Sequence, residues 1–523
     1  MRRAILERRL KPGTRLPSSR LMAQDLDCAR GTVVLAFDQL VAEGYVVSHA
    51  GSAMSVAANL PEEMLVVPRA GAPLHGQAVA KPAVARRTRA LLATEPPPVP
   101  GAPPVAFPTG QPDRDAFPFA LWAKLLEREW RRPGVQEASA AHPFGHAGLR
   151  EAIATYLGVA RGFTCDPGAV VVTTGIRHGL SLFAQVVLDA GDTAWIEEPG
   201  FVGVREALAA SGVRAVPVSI DASGFSPAVA LALAPAARLA VVAPAHHFPL
   251  GTVLSLQRRL ELLNWAERAK GWIAEDDFDG EYRYSGRPLP PLRSLDRSGR
   301  VAYFSSFSKL LFPALRLSFL VLPASLVEAT ERIMDRVSVR APLLGQGALA
   351  RFIADGHFTT HLRRTRQLYA GRRDALLGSA ARHLDGLLTV APDPGGMHVI
   401  ASPTPRLTPR FDDVAVTAAA AVEGLTVQPL SVCYADSARQ HGLILGYAGT
   451  PEAEIDRAPE APNATLEFLG LELTTYLTLR RRAERAVSKG GHQTWCLCPC
   501  FETRSCGALL SMRLLVLFQS YAA

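Results

Sequence analysis

The first sixty residues carry apolar and polar positions in a pattern that predicts three helices and a hairpin. Val33, Phe37 and Leu40 recur at helical spacing, and Pro and Gly residues separate the segments. Residues 45–56 place apolar positions on either side of a glycine turn, which predicts two short strands. The expected helices lie at residues 1–9, Arg20–Leu26 and Ala29–Glu43. Three helices followed by a hairpin predict a winged helix-turn-helix of the α+β class over residues 1–60.

A second region, residues 106–458, shows short apolar runs that alternate with segments of helical periodicity. The runs have the apolar composition that is typical of strands buried on both faces. The expected strands are Ala169–Thr174, Thr193–Glu197, Arg214–Val218, Leu239–Pro244, Gly271–Glu275 and Val301–Ser305, and one expected helix is Leu256–Lys270. This alternation predicts an α/β domain with a mostly parallel sheet covered on both faces. Ligands of such sheets bind beyond the carboxyl ends of the strands.

Residues 61–105, between these regions, lose periodicity and are rich in Pro, Ala and Gly. Proline-rich chain stays extended, so we expect a semi-rigid linker. Arg86, Arg87 and Arg89 fall within this linker. Solvation explains such a cluster more simply than contact with DNA phosphates does.

Composition agrees with a multidomain protein. A chain of 523 residues is too long for one core and predicts at least two domains. The net charge of +8 is compatible with nucleic acid binding. Cys28, Cys165 and Cys433 are scattered singly, which is typical of reduced thiols in a cytosolic protein. The sequence has no apolar leader and no unbroken apolar run of about 18 residues, so we expect a soluble cytoplasmic protein without a membrane span.

The tail at residues 459–523 matches no recognisable pattern, and we expect it to lie outside the preceding fold. Its cysteine cluster at residues 496–500 lacks the paired two-residue spacers of ordinary zinc sites. The adjacent His246 and His247 have no third metal ligand nearby in the sequence, so hydrogen-bonded loop residues are the simpler interpretation. No metal site is expected.

Residues able to bind a phosphorylated cofactor stand at the expected strand ends. Residues 173–178 follow one strand and open a helix, so their backbone N–H groups can hold a phosphate. Residues 275–279 end another strand in carboxylates, which a protonated pyridine nitrogen needs as a partner. Lys309 lies in a serine-rich turn after the last expected strand, and Arg316 follows seven residues later. A lysine there can bind an aldehyde cofactor covalently, which indicates pyridoxal 5′-phosphate (PLP) rather than a surface lysine.

Three motifs in the first sixty residues resemble the GntR family of bacterial regulators. They are Leu16-Pro-Ser-Ser-Arg20, Ala29-Arg-Gly-Thr-Val33 and Leu40-Val-Ala-Glu-Gly-Tyr45. The resemblance implies that Arg20, Arg30 and Thr32 approach operator DNA, with Arg30 and Thr32 opening a recognition helix in the major groove. His49 and Gly51 would lie in the wing. Family members usually have a longer first helix, and this chain is expected to begin inside it; a helical cap with solvated arginines is the alternative.

The loops of residues 106–458 resemble fold-type I aminotransferases, and residues 1–458 resemble the MocR group of GntR regulators, which fuse that fold to a winged helix. Gly110-Gln-Pro-Asp113 and Gly145-His-Ala-Gly-Leu-Arg150 also fit this resemblance. It implies that Lys309 is the catalytic lysine that binds PLP covalently. Asp276 would pair with the pyridine nitrogen, with Asp277 as its rival if the loop shifts by one residue, and Phe201 would stack on the ring. The phosphate would be held by the backbone of Gly175, Ile176 and Arg177 together with Ser306, Ser308 and Arg316.

Two positions depart from the family pattern. Working aminotransferases place an arginine near Ile444 to bind the substrate carboxylate, and loss of such a charge-assisted pair costs roughly 1.5–3 kcal/mol. Phe278 stands where relatives usually have a tyrosine, which would tune the cofactor rather than prevent its binding. The departure at Ile444 disfavours an efficient α-amino acid transaminase. It favours PLP itself, or an amine held differently, as the effector, with any transaminase activity weak or vestigial.

The resemblance thus predicts a homodimeric transcription regulator that binds operator DNA and responds to PLP. One alternative is a PLP-dependent aminotransferase whose DNA-binding domain is accessory. A third hypothesis is a DNA-binding protein whose PLP site is inactive, which requires Lys309 to remain unmodified.

Overall fold

A computed structural model describes residues 1–49, 53–60, 84–92, 106–131, 142–286, 289–422, 425–435 and 439–457. The chain divides into two compact units, and their boundary lies between residues 83 and 84. Gly51, most of the expected linker and the tail from residue 458 fall outside the described residues. Among the residues that are described, no helix is both long and apolar enough to cross a bilayer.

The N-terminal unit is a winged helix-turn-helix, as its periodicity predicts. Its elements are α1 (Arg2–Leu6), α2 (Ser19–Asp25), α3 (Arg30–Ala42), β1 (Val46–His49) and β2 (Ala53–Val56). Ser18 caps α2 by accepting a hydrogen bond from the backbone N–H of Leu21 at 3.3 Å. The predicted apolar positions Val33, Phe37 and Leu40 are all buried in one core. Strands β1 and β2 pair antiparallel and form the wing.

The second unit contains the predicted α/β fold. Its helices are α4 (Arg86–Leu92), α5 (Phe119–Arg131), α6 (Ala147–Ala160), α7 (Ile176–Val187), α8 (Val202–Ala210), α9 (Pro227–Leu233), α10 (Leu256–Ala269), α11 (Phe307–Leu310), α12 (Val327–Arg336), α13 (Gln346–Ala354), α14 (His357–His383), α15 (Asp413–Val422) and α16 (Glu452–Arg457). Its strands are β3 (Val170–Thr173), β4 (Thr193–Glu198), β5 (Arg214–Ser219), β6 (Leu239–Val242), β7 (Trp272–Asp276), β8 (Val301–Ser306), β9 (Ser318–Val321), β10 (Leu388–Val390), β11 (His398–Pro403), β12 (Gln428–Pro429) and β13 (Leu443–Gly446).

The central sheet has seven strands in the order β3-β9-β8-β7-β6-β4-β5. Strands β4 to β8 pair parallel, whereas β9 runs antiparallel to both β8 and β3. All six predicted strands are present, with bounds that differ by one or two residues. Strand β9 was not predicted, because a short apolar run alone does not distinguish a buried strand from a buried helix.

Helices cover both faces of this sheet. Successive residues of β4 point to opposite faces of the sheet. Ile196 packs with Phe183 of α7 on one face, whereas Trp195 packs with Trp265 of α10 on the other. Burial of each large apolar side chain contributes roughly 1.5–3 kcal/mol. Large apolar residues are buried on both faces, and their burial stabilises the sheet. The candidate functional loops lie at one edge of this sheet.

A smaller antiparallel sheet, in the order β10-β11-β13-β12, follows the long helix α14. Its strand β11 pairs with β13, which places Ile400 opposite Ile444. The periodicity of the chain did not predict this sheet, since its strands are only two to six residues long.

Helix α4 lies inside the segment that was expected to be an extended linker. Its seven residues, RRTRALL, contain neither Pro nor Gly, which allows helix formation between the proline-rich stretches. It packs against α8 of the same unit. The described part of the linker is therefore partly helical rather than wholly extended.

Candidate functional site

A cavity of about 310 Å³ lies at the carboxyl edge of the seven-stranded sheet. The ends of β4, β6, β7 and β8 reach it, as expected for the binding edge of a parallel sheet. Helices α7 and α8, the segment at Thr109 and Gly110, and the smaller sheet contribute further wall residues. The candidate residues Ile176, Arg177, Phe201, Asp276, Ser306 and Lys309 all line this one cavity.

Lys309 is placed by the turn from β8 into α11, and its Nζ donates a hydrogen bond to the carbonyl oxygen of Gly110 at 2.9 Å. Gly110 has φ +63° and passes directly beside Nζ, so that a side chain at this position would overlap the amine. Burial lowers the pKa of Lys309, although the carboxylates of Asp279 and Asp276 oppose this effect. A lowered pKa favours the neutral amine, which is the form that attacks an aldehyde.

Asp276 and Asp277 are consecutive but have different surroundings. Asp276 lines the cavity, and its Oδ1 is buried without a hydrogen-bond partner. Burial raises the pKa of Asp276 to about 7, with Asp277 and Asp279 adding to the effect and Lys309 opposing it. Asp277 is instead buried against Arg161 and accepts a hydrogen bond from the Tyr303 hydroxyl at 2.7 Å. Although Asp277 Oδ1 is likewise buried without a hydrogen-bond partner, Asp276 lines the cavity and Asp277 does not.

The N-terminus of α7 offers an anion-binding cradle. Gly175 precedes this twelve-residue helix, whose first N–H groups, from Ile176 and Arg177, have no acceptor within the helix. The Arg316 guanidinium lies 3.5–3.9 Å from the point that a Gly175 Cβ would occupy. The cradle is therefore bounded by an arginine and kept open by the absence of a side chain at Gly175.

The serine residues of the turn are held near this cradle. Ser306 lines the cavity, and its Oγ accepts from the backbone N–H of Ser308 at 3.3 Å and from the Ser318 hydroxyl at 2.9 Å. Ser308 is half-buried and does not line the cavity wall. The side chain of Arg177 forms an ion pair with Glu206 at 2.9 Å. This pairing leaves the backbone N–H of Arg177 to fill its predicted role in phosphate binding.

Aromatic and apolar side chains form the rest of the wall. Phe201 meets Phe248 edge-on with ring centroids 6.1 Å apart, and Phe248 meets Phe278 at 6.2 Å. Ile444 is fully buried in an apolar cluster that packs against Phe248, and it does not itself line the cavity. Glu197 is a buried carboxyl of the cavity that accepts from the Ala243 N–H at 3.0 Å, and burial raises its pKa to about 8.

His246 and His247 lie in hydrogen bonds, as the simpler interpretation of this pair expects. His246 lies between the carboxylates of Asp279 and Asp393, at 3.1 and 3.2 Å. These carboxylates raise the pKa of His246 to about 10, despite the opposing effect of burial. His247 contacts the carbonyl oxygen of Pro199 at 2.9 Å. The sequence did not predict that Asp279 raises the pKa of Lys309 or that it shares His246 with Asp393. Asp279 and Asp393 are too far apart in the sequence for their common contact to be recognised.

The predicted DNA-contact residues lie in the winged unit. Arg20 and Thr32 are exposed on α2 and on the first turn of α3. Arg30 opens α3, is exposed, and its Nε lies 3.4 Å from Ser19 Oγ. His49 ends β1, and Gly51 falls outside the described residues. Helix α3, the predicted recognition helix, thus presents Arg30 and Thr32 at its N-terminal end.

Comparison with known proteins gives consistent matches. The model of aminotransferase class I and II matches residues 107–461, and that of the gntR family of bacterial regulatory proteins matches residues 1–56. The probable rhizopine catabolism regulatory protein MocR of Rhizobium meliloti is 38% identical, over 92% of this chain and 94% of that protein. The pyridoxine biosynthesis regulator PdxR of Corynebacterium glutamicum is 30% identical, over 86% and 91% respectively. A kynurenine aminotransferase of Pyrococcus horikoshii superposes with a TM-score of 0.63 at 23% identity, over 75% of this chain and 96% of that structure.

Fold and site together define a winged helix-turn-helix joined to a domain of the PLP-dependent aminotransferase fold. The chain belongs to the MocR group of the GntR family of transcription regulators.

Proposed function

We propose that this protein is a transcription regulator that binds operator DNA through its winged helix and senses PLP through its aminotransferase-like domain. It would act as a homodimer in the bacterial cytoplasm. The observation that carries the proposal is that one cavity brings together the Lys309 amine, the unpaired Asp276 carboxyl and the N-terminus of α7. These are the three groups that a phosphorylated pyridine aldehyde requires.

Each part of PLP has a partner among these residues. Lys309 would bind the aldehyde covalently, and Asp276 would accept a hydrogen bond from the protonated pyridine nitrogen. The N–H groups of Ile176 and Arg177 would bind the phosphate, joined by Ser306 and Arg316. The open cradle at Gly175 and the unpaired Oδ1 of Asp276 support this fit. When bound, PLP supplies an electron-accepting ring to amines that react with it.

The apolar residue Ile444, at the position where working aminotransferases place an arginine, supports a sensor more than an efficient transaminase. Without that arginine a substrate carboxylate would lose a charge-assisted pair worth roughly 1.5–3 kcal/mol, which corresponds to a loss of about tenfold to a hundredfold in affinity. The effector would therefore be PLP itself or an amine held differently. PdxR is named for the regulation of pyridoxine biosynthesis, which supports the first choice.

The packing of α8 supports a route from the cavity to the linker. Val202 and Val204 of α8 line the cavity, and the same helix packs against α4 of the linker. A ligand can shift the DNA-binding equilibrium only through its different affinity for two arrangements of the protein. We propose that a change at α8 alters how α4 is held and hence the spacing of the two winged helices of the dimer.

A second candidate function is catalysis by an aminotransferase with an accessory DNA-binding domain. The cavity favours it to the extent that Lys309, Asp276 and the phosphate cradle are all present. Single-turnover mixing with common amino acids and 2-oxo acids separates the two functions. Rapid conversion of the bound cofactor would favour the enzyme, whereas slow or absent conversion favours the regulator.

The proposal is tested by measuring binding to the DNA upstream of the protein's own gene, with and without PLP. We expect PLP to change the dissociation constant for wild type but not for Lys309→Ala. Borohydride reduction followed by peptide mass spectrometry should find the cofactor on Lys309. Absence of the cofactor from that peptide, or equal DNA binding with and without PLP, would contradict the sensor function.

A further inference from the structure

A buried ion pair lies directly behind Asp276. Arg161 is the C-cap residue directly after α6, and its guanidinium contacts the carboxylate of Asp277, with the two side chains only 3% and 1% exposed. Arg161 also donates to the carbonyl oxygen of Gly280 at 3.2 Å, and Tyr303 donates to Asp277 at 2.7 Å. The pair thus clamps both ends of the turn that leaves β7.

The tightness of this clamp is visible at Gly280. A side chain at Gly280 would overlap both the Asp277 carboxylate and the Arg161 guanidinium. The clamped turn also carries Phe278, which lines the cavity, and Asp279, which contacts His246. Arg161 itself does not line the cavity, so any effect on a ligand must pass through Asp277 and this turn.

The charges around Asp276 explain why the clamp matters. Asp276 faces carboxylates on its own strand and turn, namely Glu275, Asp277 and Asp279, and Glu197 on β4, whereas Lys309 on α11 is the facing amine. Most of these carboxylates have hydrogen-bond donors or a cation of their own. Backbone N–H groups donate to Glu275 and Glu197, and His246 contacts Asp279. Arg161 is the cation that serves Asp277.

Removal of Arg161 would leave the Asp277 charge uncompensated beside Asp276. An uncompensated charge on Asp277 raises the pKa of the adjacent Asp276 carboxyl further, even though the Lys309 amine opposes this effect. A neutral Asp276 no longer stabilises a protonated pyridine nitrogen.

We propose that Arg161 is a positioning residue of the PLP site, which compensates the charge of Asp277, fixes the turn after β7, and thereby lets Asp276 ionise and point toward the pyridine nitrogen. The inference rests on the proposed binding of PLP at Lys309. It assigns a role to a residue about 115 positions from Asp276 in the sequence, on a helix that provides no wall of the cavity.

The test uses full-length protein loaded with PLP and compares wild type, Arg161→Met and the double variant Arg161→Met/Asp277→Asn. The readouts are PLP affinity and the pH dependence of the visible absorbance of the lysine-bound cofactor. For Arg161→Met we expect affinity to fall at least about tenfold and the absorbance transition to move by about one pH unit, since one unit corresponds to a tenfold change in an equilibrium. The double variant removes both charges of the pair and should recover most of the lost affinity, although Glu281, whose charge Arg161 also compensates, is still present.

The controls separate electrostatics from folding. Arg161→Lys keeps the charge and should retain most of the affinity. If Arg161→Met does not fold, Tyr303→Phe removes only the hydroxyl donor to Asp277 and should shift the absorbance transition in the same direction by a smaller amount. A double variant as impaired as Arg161→Met, or a Tyr303→Phe profile identical to wild type, would overturn the inference.

Failure of the proposed function gives a different result. In that case wild type itself carries no cofactor on Lys309 after borohydride reduction. If wild type does carry the cofactor and Arg161→Met matches its affinity and pH profile, the role of Arg161 alone is wrong.

Discussion

At the scale of single residues, the close approach of Gly110 to Lys309 shows how the backbone positions the reactive amine. The Gly110 carbonyl accepts the Nζ hydrogen bond, and its φ of +63° is a conformation in which other residues are strained. A glycine is needed here for two separate reasons, which are backbone conformation and space for the amine. Variants can separate these two reasons.

We expect Gly110→Ala to reduce covalent attachment of PLP, because the new methyl group would displace Lys309 Nζ from its present position. Gly162→Ala is the matched control, since Gly162 has φ +74° but open space around the position of its Cβ. Both variants should lose about 1–2 kcal/mol of stability from backbone strain. Only Gly110→Ala should yield less of the borohydride-stable adduct than wild type; an equal yield would show that Lys309 does not need this space.

Asp276 provides a prediction about pH. Its pKa in the folded protein is raised to about 7, whereas an unfolded aspartate titrates near 3.9. The folded state therefore holds a proton that the unfolded chain has lost, so this group costs stability as pH rises from about 4 to 7. The cost above pH 7 is at most about 4 kcal/mol, since each unit of difference corresponds to 1.36 kcal/mol.

Asp276→Asn should accordingly raise the Tm of the cofactor-free protein relative to wild type at pH 8, and the difference should shrink toward pH 4.5. Asp189→Asn, at a side chain that is 93% exposed, should leave Tm unchanged at both pH values. The same Asp276→Asn variant should bind PLP poorly. An equal Tm difference at both pH values would show that Asp276 is not the titrating group.

At the scale of elements, helix ends would perform both recognition tasks that we propose for this chain. The N-terminus of α7 faces the cavity with N–H groups that have no acceptor within the helix, and that of α3 presents Arg30 and Thr32 to solvent. In α7 the backbone itself would bind the ligand, so the sequence would need only a small residue before the helix. In α3 the side chains would carry the specificity, because base edges in the major groove are distinguished by side-chain donors and acceptors.

We expect Arg30→Ala to weaken operator binding by roughly 1–3 kcal/mol and to reduce discrimination at one base pair. Arg3→Ala is the control, because Arg3 is an exposed arginine of α1 that pairs with Glu7 and its removal changes net charge equally. Fluorescence anisotropy with operator and with mismatched DNA measures both effects. Equal losses for the two variants would indicate that Arg30 contributes only general charge.

At the scale of the whole molecule, sensing requires that ligand binding in the cavity change the conformation or packing of the linker. Helix α8 contributes to the cavity wall and packs against α4, which lies in the linker segment. Within α4, Leu91 is half-buried whereas Leu92 is 71% exposed. Adjacent leucines of the same helix thus provide a matched pair that differs mainly in burial.

Leu91→Ala should reduce the effect of PLP on operator affinity, because it weakens the packing of the linker helix while leaving the cavity intact. Leu92→Ala should retain the wild-type effect. PLP binding itself should be unchanged in both variants, as measured by visible absorbance. If both variants keep the full response to PLP, the coupling does not pass through α4.

The sequence alone determined the elements and the identity of the chemical groups. Periodicity predicted the winged helix and six strands of the central sheet, because side-chain spacing reports directly on which face of an element is buried. The motifs at strand ends predicted Lys309, Asp276 and the α7 cradle, since parallel strands bring their carboxyl ends to one edge.

Only the tertiary structure decided between neighbours and revealed partners that are distant in the chain. Asp276 and Asp277 have the same chemistry, and the sheet assigned one to the cavity and the other to Arg161 because successive side chains point to opposite sides of a strand. The same holds for His246, whose partners Asp279 and Asp393 come from separate segments. Burial and charge compensation depend on what packs around a residue, and that information resides in the fold rather than in local sequence.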